Sequence, residues 1–216
     1  SKKEVNVNID KKREHLIEYY NKKIEEIEKM DYENVYYWYQ EAAAAGSVAG
    51  MFNVAWMYHE GLHVKQDYRK AWHYFEKLYH EKIPFAIFFM GLYAEKGFVG
   101  NVDYPAAIRY YQEGIESGDG MCANNLGAMY CRGTGVKADT AKGFELFRTA
   151  YELGCSSFDL CANLGRCYEE GHGTDIDLDM AYNIYLEGAE GGSAICEERL
   201  KRIKKKMTGE EVSDNE

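Results

Sequence analysis

A regular spacing of aspartate and glycine constrains the fold of this chain more than any other feature. Five aspartates are 36, 36, 36 and 38 positions apart: Asp31, Asp67, Asp103, Asp139 and Asp177. A glycine precedes each of the last four by six positions, and the clearest copy of the pattern is residues 125–154, NLGAMYCRGTGVKADTAKGFELFRTAYELG. Self-similarity at a fixed period of this length is typical of a solenoid, in which each unit packs only against its neighbours.

Each unit is predicted to form a helix, a loop and a second helix. In the clearest copy, Gly133 is placed to end the first helix. Asp139 is placed to begin the second, because its carboxylate can accept hydrogen bonds from the amides of the first turn. Gly127 and Gly143 stand at positions that are small in most units, so we expect the two helices to cross closely there. Glycines able to adopt positive φ are expected to end the second helices, at Gly46, Gly118, Gly154 and Gly192.

With these positions in place, LGAMYCRGTGVKADTAKGFELFRTAYELG resembles the Sel1-like repeat, whose pattern is LGxxYxxGxGVxxDxxKAxxWYxKAAExG, a relative of the tetratricopeptide repeat. The resemblance extends over residues 31–192. It implies an all-α fold, an αα-superhelix (solenoid) of helix-loop-helix repeats. Departures affect single positions, such as Ala55 for the first glycine and Ala94 for the tyrosine.

The period predicts a single repeat domain over residues 1–216. We expect it to contain, in order, an N-terminal capping helix pair (11–48), four repeats (49–84, 85–120, 121–156 and 157–192), a C-terminal capping helix (193–207) and a mobile tail (208–216).

Charge and composition exclude several classes of partner. The formal net charge of -10 disfavours non-specific binding of nucleic acid, which requires a basic surface. No apolar run approaches the roughly 20 residues of a membrane-spanning helix.

A basic run near the C terminus, KRIKKK, is interpreted as a solvated helix face, with a basic docking patch as the alternative. The chain begins at Ser1 rather than Met, so the lack of a signal sequence is weak evidence and the N terminus allows for truncation.

The segment His59-Glu60-Gly61-Leu62-His63 fits the HExxH signature of zinc proteases. That chemistry needs both histidines on one face of a continuous helix, with the glutamate as base. Gly61 is in register with the glycines that end first helices, so we expect His63 in a loop and both histidines as ordinary exposed residues. The sequence therefore predicts no metal site and no cofactor.

Six cysteines are present, without a CxxC pair that would indicate structural zinc. Secreted cysteine-rich relatives of the family carry a regular disulfide in each unit, but the first two full repeats here contain no cysteine. We interpret the thiols as small buried side chains in a reducing compartment, cytoplasmic rather than secreted. Cys131 and Cys167 are expected near one another in successive first helices.

Aromatic residues recur at second-helix positions, which favours packing in the core over a ligand cage. These positions are Trp38-Tyr39, Tyr74-Phe75, Tyr110-Tyr111 and Tyr185.

A binding surface is expected on the first helices, by analogy with tetratricopeptide stacks in which these helices line the concave side. The positions three before, one after and four after the repeat glycine form the predicted stripe: Phe52, Trp56 and His59; Phe88, Leu92 and Glu95; Asn124, Ala128 and Cys131; Ala162, Arg166 and Glu169. Its first half is aromatic and apolar, which suits an extended peptide or a partner helix. The alternative is that Phe52 and Phe88 pack between neighbouring units.

No nucleophile with a base, paired-carboxylate cleft or phosphate loop can be placed on this pattern, so we expect no enzyme. The resemblance implies a non-catalytic scaffold or adaptor that binds a protein or peptide on its concave face, with no nucleic acid and no membrane insertion. The alternatives are a hydrolase, either metal-dependent at His59 and His63 or directed at cell-wall material as proposed for cysteine-rich relatives, and a regulatory fragment of a longer protein.

Overall fold

The computed structural model describes residues 17–22 and 34–208, and helices are its only regular secondary structure. Residues 17–22 are helical. They are followed by α1 (Val35–Ala44), α2 (Val48–Glu60), α3 (Tyr68–His80), α4 (Ala86–Lys96), α5 (Tyr104–Glu116), α6 (Gly120–Arg132), α7 (Thr140–Glu152), α8 (Phe158–Glu170), α9 (Leu178–Glu190) and α10 (Ala194–Thr208). Over the described residues no helix is both long and apolar enough to cross a bilayer.

The chain forms two compact units, residues 1–102 and 103–216. In the first, helices α1 to α4 pack in sequence, each against the next, around a core that includes Met51, Val54, Phe75, Leu78 and Tyr93. In the second, α6 packs on α7, α8 on α9 and α9 on α10, around a core that includes Phe147, Leu160, Leu164, Tyr185 and Ile203.

The loop between the two helices of a repeat is built as the sequence predicts. Each first helix from α2 to α8 ends at a glycine with φ between 66° and 75°, a left-handed conformation that a side chain disfavours: Gly61, Gly97, Gly133 and Gly171. Each following second helix begins at an aspartate whose carboxylate accepts from backbone amides of the first turn: Asp67, Asp103, Asp139 and Asp177. These local signals therefore confirm the predicted helix ends.

The close crossing of α6 and α7 is also confirmed. A Cβ atom at Gly127 would lie 2.9 Å from the Phe147 ring and 3.0 Å from the carbonyl oxygen of Gly143. A Cβ atom at Gly143 would meet the Cys131 sulfur and lie 3.0 Å from the carbonyl oxygen of Gly127. The two helices contact each other backbone to backbone, which only glycine permits at both positions.

The ends of the chain are only partly described. The expected capping pair 11–48 falls on the described residues at 17–22 and 34–48, and Asp31, expected to begin α1, lies outside them. Asn34 directly precedes α1, without a capping hydrogen bond from its side chain. The last helix, predicted over 193–207, is α10, which buries Cys196, Leu200 and Ile203. The expected mobile tail lies outside the described residues from 209 onward.

One member of each second-helix aromatic pair lies in the core as expected, and so does Tyr185, whereas the other member of each pair is only partly buried. Tyr39, Phe75, Tyr111 and Tyr185 are buried, whereas Trp38, Tyr74 and Tyr110 are only half-buried. Consecutive helical residues point about 100° apart, so two large neighbours face the core to different extents.

Candidate functional site

The predicted stripe falls on four first helices: α2 and α4 in unit 1, and α6 and α8 in unit 2. The two halves differ in chemistry, because the α2 and α4 positions are mostly aromatic or apolar, whereas those of α6 and α8 include amide, thiol, guanidinium and carboxylate groups.

A row of stacked rings occupies α2. Phe52 and Trp56 stack with their centroids 6.3 Å apart and an interplanar angle of 15°. Trp56 and His59 stack in turn at 5.6 Å and 24°. Trp56 is 37% exposed and Phe85 of the neighbouring α4 end is 36% exposed, so this aromatic row presents apolar surface to solvent.

His59 is held inside this row rather than exposed as expected, and its side chain is only 12% exposed. Its Nδ1 lies 2.9 Å from the Tyr93 hydroxyl, and the rings of Tyr68 and Phe98 contact its edges. Burial lowers the pKa of His59 below its ordinary value, although the nearby Glu60 carboxylate acts in the opposite direction. The residue is therefore a neutral packing and hydrogen-bonding group at pH 7.

The HExxH segment has the geometry that the repeat register predicts. Helix α2 ends at Glu60, Gly61 turns left-handed, and His63 lies in the following loop with φ of 58°. The two histidines do not share one continuous helix. Among the described residues no group of three or more His, Cys, Asp or Glu side chains is placed to hold a metal ion.

Stripe residues of unit 1 also pack between neighbouring repeats. Phe52 contacts Phe85 at 5.1 Å, Phe89 at 5.9 Å and Phe75 at 6.3 Å between ring centroids. Phe88 is half-buried and contacts Phe89. The packing interpretation therefore describes Phe52 well, and Trp56 is the ring of the row that remains most open to solvent.

The remaining stripe positions of α4 and α6 are mostly enclosed. Leu92 is half-buried, and Glu95 is buried and pairs with Lys96. Asn124 and Ala128 are 4% and 8% exposed. The Asn124 Oδ1 accepts a long hydrogen bond of 3.4 Å from Asn163 Nδ2 of α8.

Glu169 is the centre of a cluster of charges in unit 2. Its side chain is fully buried, and its carboxylate accepts from the Tyr185 hydroxyl at 3.0 Å, Arg202 Nη2 at 2.8 Å and Lys206 Nζ at 2.6 Å. Arg199 Nη1 donates to the same carboxylate at 3.3 Å. Burial alone would raise the pKa of Glu169, but the hydrogen bonds from Lys206, Tyr185 and Arg202 outweigh it and the pKa lies below its ordinary value. The carboxylate is thus ionised and saturated with donors.

Sequence reasoning missed the three cations that surround Glu169. It placed Arg202 and Lys206 in a basic run interpreted as a solvated face and left Arg199 out. Their spacing of three and four residues puts them on one face of α10, which was a usable signal. What the sequence did not show is that this face meets α8.

The cysteines are all free, and Cys122, Cys161, Cys167 and Cys196 are buried. The Cys131 and Cys167 thiols lie close enough to influence each other electrostatically, in agreement with the expected proximity. Burial raises the pKa of both, and the Arg166 guanidinium beside them acts in the opposite direction. Neither thiol is therefore activated as a nucleophile at pH 7.

A family model described as Sel1 repeat matches the chain at residues 27–47, 48–80, 84–119, 120–155 and 159–193, which together make up well over half of its length. The chain belongs to the Sel1 repeat family. Sel1 repeat proteins generally mediate protein-protein interactions.

Solved structures of Sel1 repeat proteins are similar to this chain. A Sel1 repeat protein from Oxalobacter formigenes is 28% identical with a TM-score of 0.72, over 87% of this chain and 76% of that one. A protective antigen present in uropathogenic Escherichia coli strains is 28% identical with a TM-score of 0.64, over 82% of this chain but only 38% of its own length. A Klebsiella pneumoniae protein described as a putative sel1 repeat protein is 20% identical with a TM-score of 0.54, over 82% of this chain and 88% of that one. At this identity the similarity supports the fold alone. The predicted all-α Sel1 repeat solenoid fold is confirmed.

Proposed function

We propose that this Sel1 repeat protein is a non-catalytic scaffold that binds a peptide or partner protein along the stripe of its first helices. The observation that carries the proposal is the aromatic row of α2, in which the Trp56 ring remains 37% exposed although it is large and apolar. Covering such a ring removes apolar surface from water, and tryptophan is strongly enriched among the residues that dominate binding energy.

The Trp56 ring is also held by its neighbours, which favours recognition. Trp56 lies between Phe52 and His59 at stacking distance, and Phe89 contacts it edge-on at 6.4 Å. A ring held in this way loses little conformational freedom when a partner covers it. The contacts therefore support Trp56 as an anchor for a partner.

A metal-dependent hydrolase has no comparable support. His59 is committed to Tyr93 and the ring stack, and His63 lies beyond the glycine that ends α2. We therefore propose no second function.

The test is affinity capture from a lysate of the source cell, followed by titration calorimetry with the purified partner. We expect Trp56→Ala to weaken binding by about tenfold or more, as for an anchor residue. Tyr37→Ala is the matched control, because Tyr37 is an exposed aromatic residue of α1, outside the stripe. Equal affinity of the native chain and Trp56→Ala, with unchanged helicity, would show that the aromatic row is not part of the binding surface.

A further inference from the structure

We propose that unit 2 carries a separate subsite for a short acidic peptide segment of a partner protein. The subsite, here termed the cationic strip, consists of Arg166 of α8 and Arg199, Arg202 and Lys206 of α10. It rests on the proposed function in one respect, namely that the first-helix stripe hosts a peptide. It adds the chemical class of that peptide, since carboxylate groups are the partners that arginine and lysine recognise best.

The cationic strip presents positive charge to solvent because its cations are more exposed than Glu169. The Glu169 side chain is fully buried, whereas Arg199, Arg202 and Lys206 are 23%, 44% and 40% exposed. The Glu169 charge therefore lies beneath the surface, whereas the positive charges and the 37% exposed Glu170 lie at it. Glu170 is the other carboxylate in contact, at 3.7 Å from Arg199 and 3.9 Å from Arg202, and it also approaches His172 at 3.5 Å.

Three cations thus face two carboxylates, and this leaves one positive charge in excess. Arg166 adds a second, one turn before Glu169 on α8. A partner that brings carboxylates can neutralise this excess without displacing Glu169, because arginine offers five N–H donors and lysine three.

Arg166 supplies an independent observation. Its Nε is buried and makes no hydrogen bond to any described residue. A buried donor without a partner is unfavourable by about the amount of a lost hydrogen bond. The side chain is only half-buried, so a rotation that turns the Nε edge toward a bound carboxylate would satisfy the donor in a bidentate pair.

Polar amides continue the strip toward α6. Asn163 lies one turn before Arg166 on α8 and donates to the buried Asn124 at the long distance of 3.4 Å. A side-chain amide has two N–H donors, so the half-buried Asn163 retains capacity for the backbone carbonyl of an extended peptide.

Charge complementarity favours a short peptide over a long polyanion. The chain as a whole carries a formal charge of -10, so the cationic strip is a local exception on an acidic protein. A nucleic acid extends beyond such a patch and meets repulsion from the rest of the surface. A segment with a few carboxylates fits the patch alone.

The test is fluorescence anisotropy with the full chain and a labelled synthetic peptide containing four glutamates, compared with the same peptide containing four glutamines. At low salt we expect the glutamate peptide to bind at least tenfold more tightly. Arg166→Gln and Arg202→Gln should each reduce its affinity by at least fivefold. Lys201→Gln, which removes a positive charge from a different face of α10, should leave the affinity within twofold.

Two further measurements keep the result decisive. Circular dichroism separates loss of binding from loss of fold for Arg202→Gln, and Arg166→Gln leaves the Glu169 cluster intact. Trp56→Ala should bind the glutamate peptide like the native chain, because the aromatic row belongs to unit 1. Failure of the cationic strip therefore leaves the aromatic anchor standing, and the two failures can be told apart.

Several outcomes would overturn the proposal. Equal binding of the glutamate and glutamine peptides would remove the charge argument, and an equal effect of Lys201→Gln and Arg166→Gln would show non-specific attraction. Tighter binding of a nucleic-acid oligomer of the same charge would assign the strip to that class instead. Binding only after residues 209–216 are deleted would assign it to the chain's own tail, and self-association abolished by Arg166→Gln would assign it to a second copy.

Discussion

Glu169 is the residue on which the charges of unit 2 converge, since four donor side chains reach its buried carboxylate. Replacement by glutamine removes the charge and most of these hydrogen bonds. We expect Glu169→Gln to reduce the free energy of unfolding at pH 7 by about 1–3 kcal/mol, the range for breaking charged hydrogen bonds whose partners stay partly hydrated. Urea denaturation followed by circular dichroism measures it.

The pH dependence of the Glu169 contribution has a definite sign. Its pKa in the folded state is below the ordinary value, so the folded chain holds this carboxylate ionised to lower pH than the unfolded chain does. The stabilisation is therefore complete above about pH 5 and is lost as the pH falls below about 4. The difference between the native chain and Glu169→Gln should shrink in that range. Glu152→Gln, which removes an exposed partner of Arg148, should change stability by less than about 0.5 kcal/mol throughout.

Burial of His59 is expected to cause a second pH dependence of stability, at higher pH than that of Glu169. Burial lowers its pKa, so the unfolded chain takes up a proton at about pH 6.5 that the folded chain accepts only at lower pH. The stability of the native chain should therefore fall as the pH is lowered from about 7 to 5. His59→Gln should reduce this slope, and His73→Gln on the exposed face of α3 is the matched loss of an imidazole. An unchanged slope in His59→Gln would contradict the assignment.

At the scale of single helices, the crossing of α6 and α7 depends on two glycines. Gly127→Ala places a methyl group 2.9 Å from the Phe147 ring, closer than real Cβ atoms come, and 3.0 Å from the Gly143 carbonyl oxygen, which is tighter than most Cβ contacts. We expect a destabilisation of about 1–3 kcal/mol, the usual range for overpacking. Thermal unfolding measures it. Gly100→Ala has open space around the added atom and should change stability little, so equal effects of the two variants would refute close packing as the cause.

The ends of helices were predictable from sequence because they depend on local physics. An aspartate caps the amides that follow it, and a glycine adopts a left-handed conformation, whatever else the chain does. The spacing of Asp139 after Gly133 therefore predicted both the loop and the helix start.

The chemistry of the stripe was less predictable. Whether Glu169 faces solvent or three cations depends on which side chains of α9 and α10 meet α8, and no local pattern specifies that. The same limit applies to His59, which was expected to be exposed, because its burial depends on Tyr93 and Phe98 from the next repeat. That the stripe positions form a binding surface remains a prediction.

At the scale of the whole molecule, the six cysteines give a measurable count. Four are buried and two, Cys131 and Cys155, are partly exposed, and burial raises the pKa of Cys161 to about 11. In denaturant without reductant we expect six thiols to react with a disulfide reagent, whereas in the native chain the four buried thiols should react slowly. Cys155→Ser should remove one of the two fast thiols. Fewer than six thiols in denaturant would contradict the proposal that the chain works in a reducing compartment.

The repeated junction of a left-handed glycine followed six residues later by a capping aspartate has a consequence for how such a chain can change in evolution. Each of the four full repeats carries its own glycine and aspartate at this junction, so duplication or deletion of one whole repeat leaves complete junctions on both sides of the change. The length of the chain can therefore vary in steps of one repeat while the helices on both sides of each junction keep their ends. Lineages can then acquire new surface residues by gaining a copy rather than by altering an existing one.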